Sequence, residues 1–118
     1  MTRKFIVHCG RFDREDREKW YYDDSIHPDE LISIVENLVK YFYSFVEHEF
    51  EVATNSEIFF LALRVAVKEK RISHQEVEFH FHQNGFVKVL TGNVDARFED
   101  WPDGFFDASE KLLDKLLG

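Results

Sequence analysis

Trp20 to Glu57 reads WYYDDSIHPDELISIVENLVKYFYSFVEHEFEVATNSE, and the order of signals along this stretch decides the fold class. Trp20, Tyr21 and Tyr22 favour extended backbone, and Asp23-Asp24 sit where that strand would end. Pro28 suits the first turn of a helix, where a missing N–H costs nothing. From Leu31 the residues Leu31, Ile34, Val35, Leu38, Phe42, Phe45 and Val46 recur every three or four positions. That spacing predicts a helix near 28–47 with one buried face. Phe50 to Thr54 then reads as a second strand. Strand, helix and strand in this order make a parallel crossover, with polar groups gathered at the carboxyl ends of the strands. Asp23, Asp24, Thr54, Asn55 and Ser56 are therefore expected along one edge of a sheet.

Downstream, Thr54 or Ser56 can cap a second helix near 57–70. Ile58, Phe59, Leu61, Ala62, Val65 and Ala66 surround so much of it that packing on more than one side is expected. Lys68, Lys70 and Arg71 stand at its end, where positive charge complements the helix dipole. Val77, Phe79 and Phe81 alternate with Glu78, His80 and His82, the period of a strand. Asn84-Gly85 is a hairpin signal, and Phe86 to Leu90 returns as its antiparallel partner. Upstream, Phe5-Ile6-Val7 is a short strand. Arg11 to Lys19 packs four basic and four acidic residues around Phe12, the composition of a solvated, ion-paired surface. Asp107 or Ser109 can cap a last helix whose stripe is Leu112, Leu113, Leu116 and Leu117. The expected fold is α/β: a small, mainly parallel sheet near 4–8, 20–23, 50–54 and 77–82, an antiparallel edge strand at 86–90, and flanking helices.

The 118 residues make one domain with enough apolar sequence for a real core. Thirteen phenylalanines imply either a core of large side chains or an apolar surface meant for a partner. A formal charge of −8 argues against gripping a nucleic-acid backbone unaided. The single cysteine, Cys9, fits a reducing compartment. No signal peptide and no membrane span is expected, so the reading is a cytoplasmic protein.

Two motifs carry a resemblance. Asp-Asp-x-x-His-Pro, a long helix, and a strand ending Thr-Asn-Ser-Glu resemble the late part of an ATP-binding-cassette-type AAA ATPase. There a hydrophobic strand ends in acidic Walker B residues, a His-Pro comes next, and the following strand ends Thr-His-Ser-Glu. Trp101-Pro102-Asp103-Gly104-Phe105-Phe106-Asp107 is similar to the Trp-Pro-Glu-Gly-Phe-Phe-Asp ending of a bacterial subgroup. The resemblance spans roughly Trp20 to Leu117. It implies half of a P-loop ATPase-like fold, with Asp23 and Asp24 at the Walker B position and Asn55 where the family has its switch histidine. The family is associated with DNA repair and defence against phage, and the resemblance implies that setting. The segment between Asp24 and His27 is shorter than the family's, and Asn55 cannot carry a proton near neutral pH.

Phosphoryl transfer in such a fold needs a glycine-rich loop with a lysine, carboxylates for magnesium and a γ-phosphate sensor. This chain has no G-x-x-x-x-G-K-[ST]; its glycines stand singly at 10, 85, 92, 104 and 118. Catalysis and a bound cofactor are thus not expected of the chain alone, and Mg-ATP is expected only if a partner chain completes the site. For Asp23-Asp24 a vestigial site and a charged helix entry are both open readings. His8 and Cys9 would point to opposite faces of a strand, which removes them as a nucleophilic pair. Ser25 and His27 lack an orienting third group. Glu78, His80 and His82 lie on one strand face and could share a metal, although such a pattern is common on solvated faces. Three functions compete. One is a truncated, non-catalytic ATPase-like module that binds a protein partner, a full-length ATPase or its own copy. Another is a split ATPase subunit supplying Asp23 and Asp24 in trans. The last is a small acidic α/β binding protein with a histidine metal site.

Overall fold

The computed structural model describes residues 3–10, 21–23, 25–83 and 85–95. Five strands form one sheet: β1 (Lys4–Cys9), β2 (Tyr21–Tyr22), β3 (Glu49–Thr54), β4 (Val77–Gln83) and β5 (Phe86–Leu90). Their order across the sheet is β2-β3-β1-β4-β5. The first four run parallel, and β5 returns antiparallel beside β4 at the edge. The α/β class, the mainly parallel sheet and the antiparallel edge hairpin are those expected from the sequence. Trp20, the Arg11–Lys19 run, Asp24, Asn84, the 101–107 motif and the final leucine helix lie outside the described residues.

Helix α1 (Pro28–Phe45) joins β2 to its neighbour β3, and α2 (Glu57–Lys68) carries β3 past β1 to β4. Both crossovers step across the sheet in the same direction, so right-handed connections put both helices on one face. Pro28 opens α1 as anticipated, and the cap is His27, whose Nδ1 accepts from the Asp29 amide at 3.1 Å. Ser56 caps α2 by accepting from the Phe59 amide at 3.2 Å. Helix α2 closes in a Schellman turn, with Lys70 N–H donating to Val67 O at 3.0 Å and Arg71 N–H to Ala66 O at 2.9 Å. This arrangement puts Lys70 at φ 63°, a conformation glycine usually supplies.

The core fills the space between helices and sheet. Phe5, Val7 and Cys9 of β1, Val52 of β3 and Phe79 and Phe81 of β4 meet Leu31, Leu38 and Phe42 of α1 and Phe59, Phe60 and Leu63 of α2. Phenylalanines meet edge to face: Phe5 against Phe42 at 5.5 Å and Phe60 against Phe79 at 4.8 Å between ring centres. Much of the chain's phenylalanine is thus core rather than surface.

Three expectations need correction. Phe45, assigned to the buried face of α1, is 73% exposed. It lies in the last turn, beyond Phe42, and its ring rests 5.4 Å from Tyr41 of its own helix. Periodicity assigns a residue to a face but does not say how far the opposing layer extends. Val65 of α2 is likewise exposed, while Arg64 beside it is buried with its guanidinium 5.5 Å from the Phe60 ring centre. Finally, it is the Arg71 backbone and not its charge that serves the carbonyls at the end of α2; the guanidinium pairs with Glu69 at 2.8 Å and with Glu36 of α1 at 3.6 Å. No helix among the described residues is long and apolar enough to cross a membrane.

Candidate functional site

The first candidate is the carboxyl edge of the parallel strands, because backbone groups at strand ends are released there and ligands of open α/β sheets bind there. Tyr22 pairs with Thr54 and Thr54 with Cys9, so β2, β3 and β1 end side by side. Asp23, Thr54, Asn55 and Ser56 gather on this edge, as the sequence indicates. Their polar atoms are largely spent on the chain itself. Asp23 Oδ1 accepts from the Ser25 amide at 2.8 Å, turning the backbone towards α1. The buried Thr54 hydroxyl donates to Tyr22 O at 2.7 Å and accepts from the Ser56 amide at 3.0 Å. Gly10 completes the edge: its N–H donates to Thr54 O at 3.2 Å. A Cβ at Gly10 would come within 2.8 Å of His82 O, and its φ of +144° disfavours any other residue.

The second candidate lies on the sheet face opposite the helices. Alternation along β1 turns Phe5, Val7 and Cys9 towards the core and Lys4, Ile6 and His8 away from it. Register then places Ala53, His8, His80 and Val89 in one row across β3, β1, β4 and β5. His8 Nε2–H donates to Glu51 Oε1 at 2.9 Å, and His8 Nδ1 shares a proton with His82 Nε2 at 2.8 Å. The three groups form a continuous line, Glu51–His8–His82, across three strands. His80 packs its ring edge on His8, with centres 5.0 Å apart, and donates from Nε2 to Glu78 Oε1 at 3.1 Å. Lys4 Nζ reaches Glu78 Oε2 at 3.4 Å. The hydrogen bond from His80, aided by Lys4, holds the Glu78 carboxyl below the usual carboxylate range against a smaller opposing effect of burial.

Of the residues picked out as a possible metal set, Glu78 and His80 therefore meet each other, while His82 meets His8. No group of three or more histidine, cysteine or acidic side chains among the described residues is arranged to hold a metal ion. Nothing in the sequence singles out His8 for this role. Its side of the strand is legible from the alternation, but its neighbour is not, because β1 and β4 are separated by most of the domain. Cys9 is fully buried, and burial pushes its thiol far above the ordinary cysteine value. That and the opposite facing of His8 leave no nucleophilic pair here.

A shallow hollow of about 300 Å³ lies at the other end of the strands, lined by Tyr43, Val67, Lys70, Ile72, Ser73, His74 and Val94. It shares no residue with either candidate site. Searches against protein-family models, curated proteins and solved structures find no match to this chain.

Proposed function

We propose that the chain is a non-catalytic ATPase-like module that binds a protein partner, an ATPase chain of the same type. The observation that carries this reading is the carboxyl edge. Asp23, at the Walker B-like position, and Asn55, at the switch-like position, end adjacent parallel strands beside the end of β1. A phosphate loop comes directly after such a strand and cradles phosphate with successive backbone amides. Here β1 leads instead into Gly10-Arg11-Phe12-Asp13, with no second glycine and no lysine–hydroxyl pair. Asp23 also commits one carboxylate oxygen to its own turn. The arrangement keeps the frame of a nucleotide site without its cradle, which favours binding over turnover.

Apolar surface supports the partner. Phe86 is 79% exposed, and Val87 and Val89 beside it on β5 are also exposed. Strand edges with apolar side chains are templates for another chain, and the net charge of −8 keeps the free form dispersed. DNA repair or phage defence is the setting that goes with such an ATPase.

The test has two arms. The isolated chain is expected to hydrolyse no Mg-ATP above a buffer control. Turnover that survives purification and disappears in the Asp23→Asn, Asp24→Asn double variant would favour an active subunit and overturn the reading. In the second arm, light scattering at tens of micromolar is run with and without an ATPase chain that carries the phosphate loop. A mixed complex weakened by Phe86→Ser is expected. A strict monomer in both conditions removes the partner.

A further inference from the structure

The line Glu51–His8–His82 is not used by the proposed function. We propose that His8 Nδ1 and His82 Nε2 form a two-imidazole chelate for a divalent transition-metal ion of the class that prefers nitrogen ligands, such as Zn²⁺ or Ni²⁺. Three observations carry it. The two nitrogens face each other at 2.8 Å, with only a shared proton between them. His8 gives its other nitrogen, Nε2, to the Glu51 carboxylate at 2.9 Å. A carboxylate behind the histidine is the arrangement that fixes the tautomer of a metal-ligating imidazole and raises its basicity. The site is also held on rigid elements. His8 is on the central strand, and the backbone of His82 is pinned against Gly10, where a Cβ would meet His82 O at 2.8 Å.

Binding replaces the shared proton by the ion. His8 keeps Nε2–H on Glu51, so its Nδ1 already bears a lone pair. His82 moves its ring proton from Nε2 to Nδ1 through solvent, which frees the second lone pair without net proton release from the neutral pair. Metal–nitrogen distances of about 2.0–2.1 Å at a tetrahedral centre require the nitrogens to separate to roughly 3.3 Å. Each ring must also turn off the N···N line so that both lone pairs meet at the ion, a movement on a face where His8 is partly exposed. Water fills the remaining positions. His80 is not needed, since its Nε2 is turned to Glu78. The pair excludes Mg²⁺ and Ca²⁺, which prefer oxygen.

The experiment is calorimetric titration of the untagged full chain with Zn²⁺ and with Ni²⁺, in the presence of millimolar Mg²⁺. One ion per chain is expected. Binding should be lost in His8→Gln and in His82→Gln, and weakened roughly 10–100-fold in Glu51→Gln, the range for losing such a carboxylate. It should be unchanged in His48→Gln, a histidine in the turn between α1 and β3. Thermal melts confirm that each variant folds, and Glu51→Gln carries the test if the central-strand variant does not. No saturable binding tighter than about 1 mM overturns the proposal. Binding that survives His82→Gln, or that falls equally in His48→Gln, overturns it as well.

Discussion

Replacing Arg3 with methionine removes one charge and leaves the aliphatic stem, and it should cost this fold about 2 kcal/mol. Helix α1 has no basic residue in its last turn, so its terminal carbonyls depend on a cation from elsewhere in the chain. Arg3 supplies it from the start of β1. Its Nη1 donates to Phe42 O and Tyr43 O at 3.3 Å and to Val46 O at 3.5 Å, while Nη2 donates to Glu76 Oε2 at 3.2 Å. The guanidinium also lies 4.8 Å from the Phe42 ring centre and 5.0 Å from that of Tyr43.

Hydrogen bonds to a charged group contribute roughly 1.5–3 kcal/mol at good geometry, and these are long, so the lower end applies. The dipole and ring terms add about 0.5 kcal/mol each. The Glu76 pair is about a quarter exposed on the arginine side, which leaves it worth at most ~1 kcal/mol. Shared partners make these contributions less than additive, which gives an estimate near ~2 kcal/mol. Urea unfolding of wild type, Arg3→Met and Arg3→Lys measures it, with an unchanged slope showing that only stability has moved. Lysine should restore less than half, since one ammonium cannot fork across the carbonyls and Glu76 while lying on two rings. A loss below about 0.5 kcal/mol, or full rescue by lysine, would refute this account of how α1 is terminated.

Acid should also find a specific group. Because Glu78 titrates lower in the folded chain than in the unfolded one, it adds stability above its unfolded value that is lost as pH falls through its folded value. In chelator-treated protein, Glu78→Gln should therefore flatten the acid limb of the stability curve below about pH 4.3. An unaltered limb would mean that the His80 and Lys4 contacts do not bias its ionisation. At the end of α2, Lys70→Gly should stabilise by about 0.5–1 kcal/mol, because Lys70 holds φ 63° at a position glycine adopts freely. A melting temperature that stays level or falls would count against strain there.

The element order was legible in the sequence because its signals are local. Pro28 after His27, the three-and-four spacing from Leu31 to Phe42, Ser56 before α2 and the alternation of Val77 to His82 each act within a turn or a strand. Together they determined two helices, the strands and the shared edge of Asp23 and Asn55, since a parallel crossover leaves both at the same end of the sheet. Tertiary structure alone decided that β1 lies between β3 and β4. The central place of β1 brings His8 to His82 and Arg3 to the end of α1, contacts between residues 74 and 39 positions apart. No short-range rule encodes these pairs. It also decided where the opposing layers stop, leaving Phe45 exposed on a helix face whose period marks it as buried. Burial depends on what lies across the interface, and a one-dimensional pattern does not contain that distance.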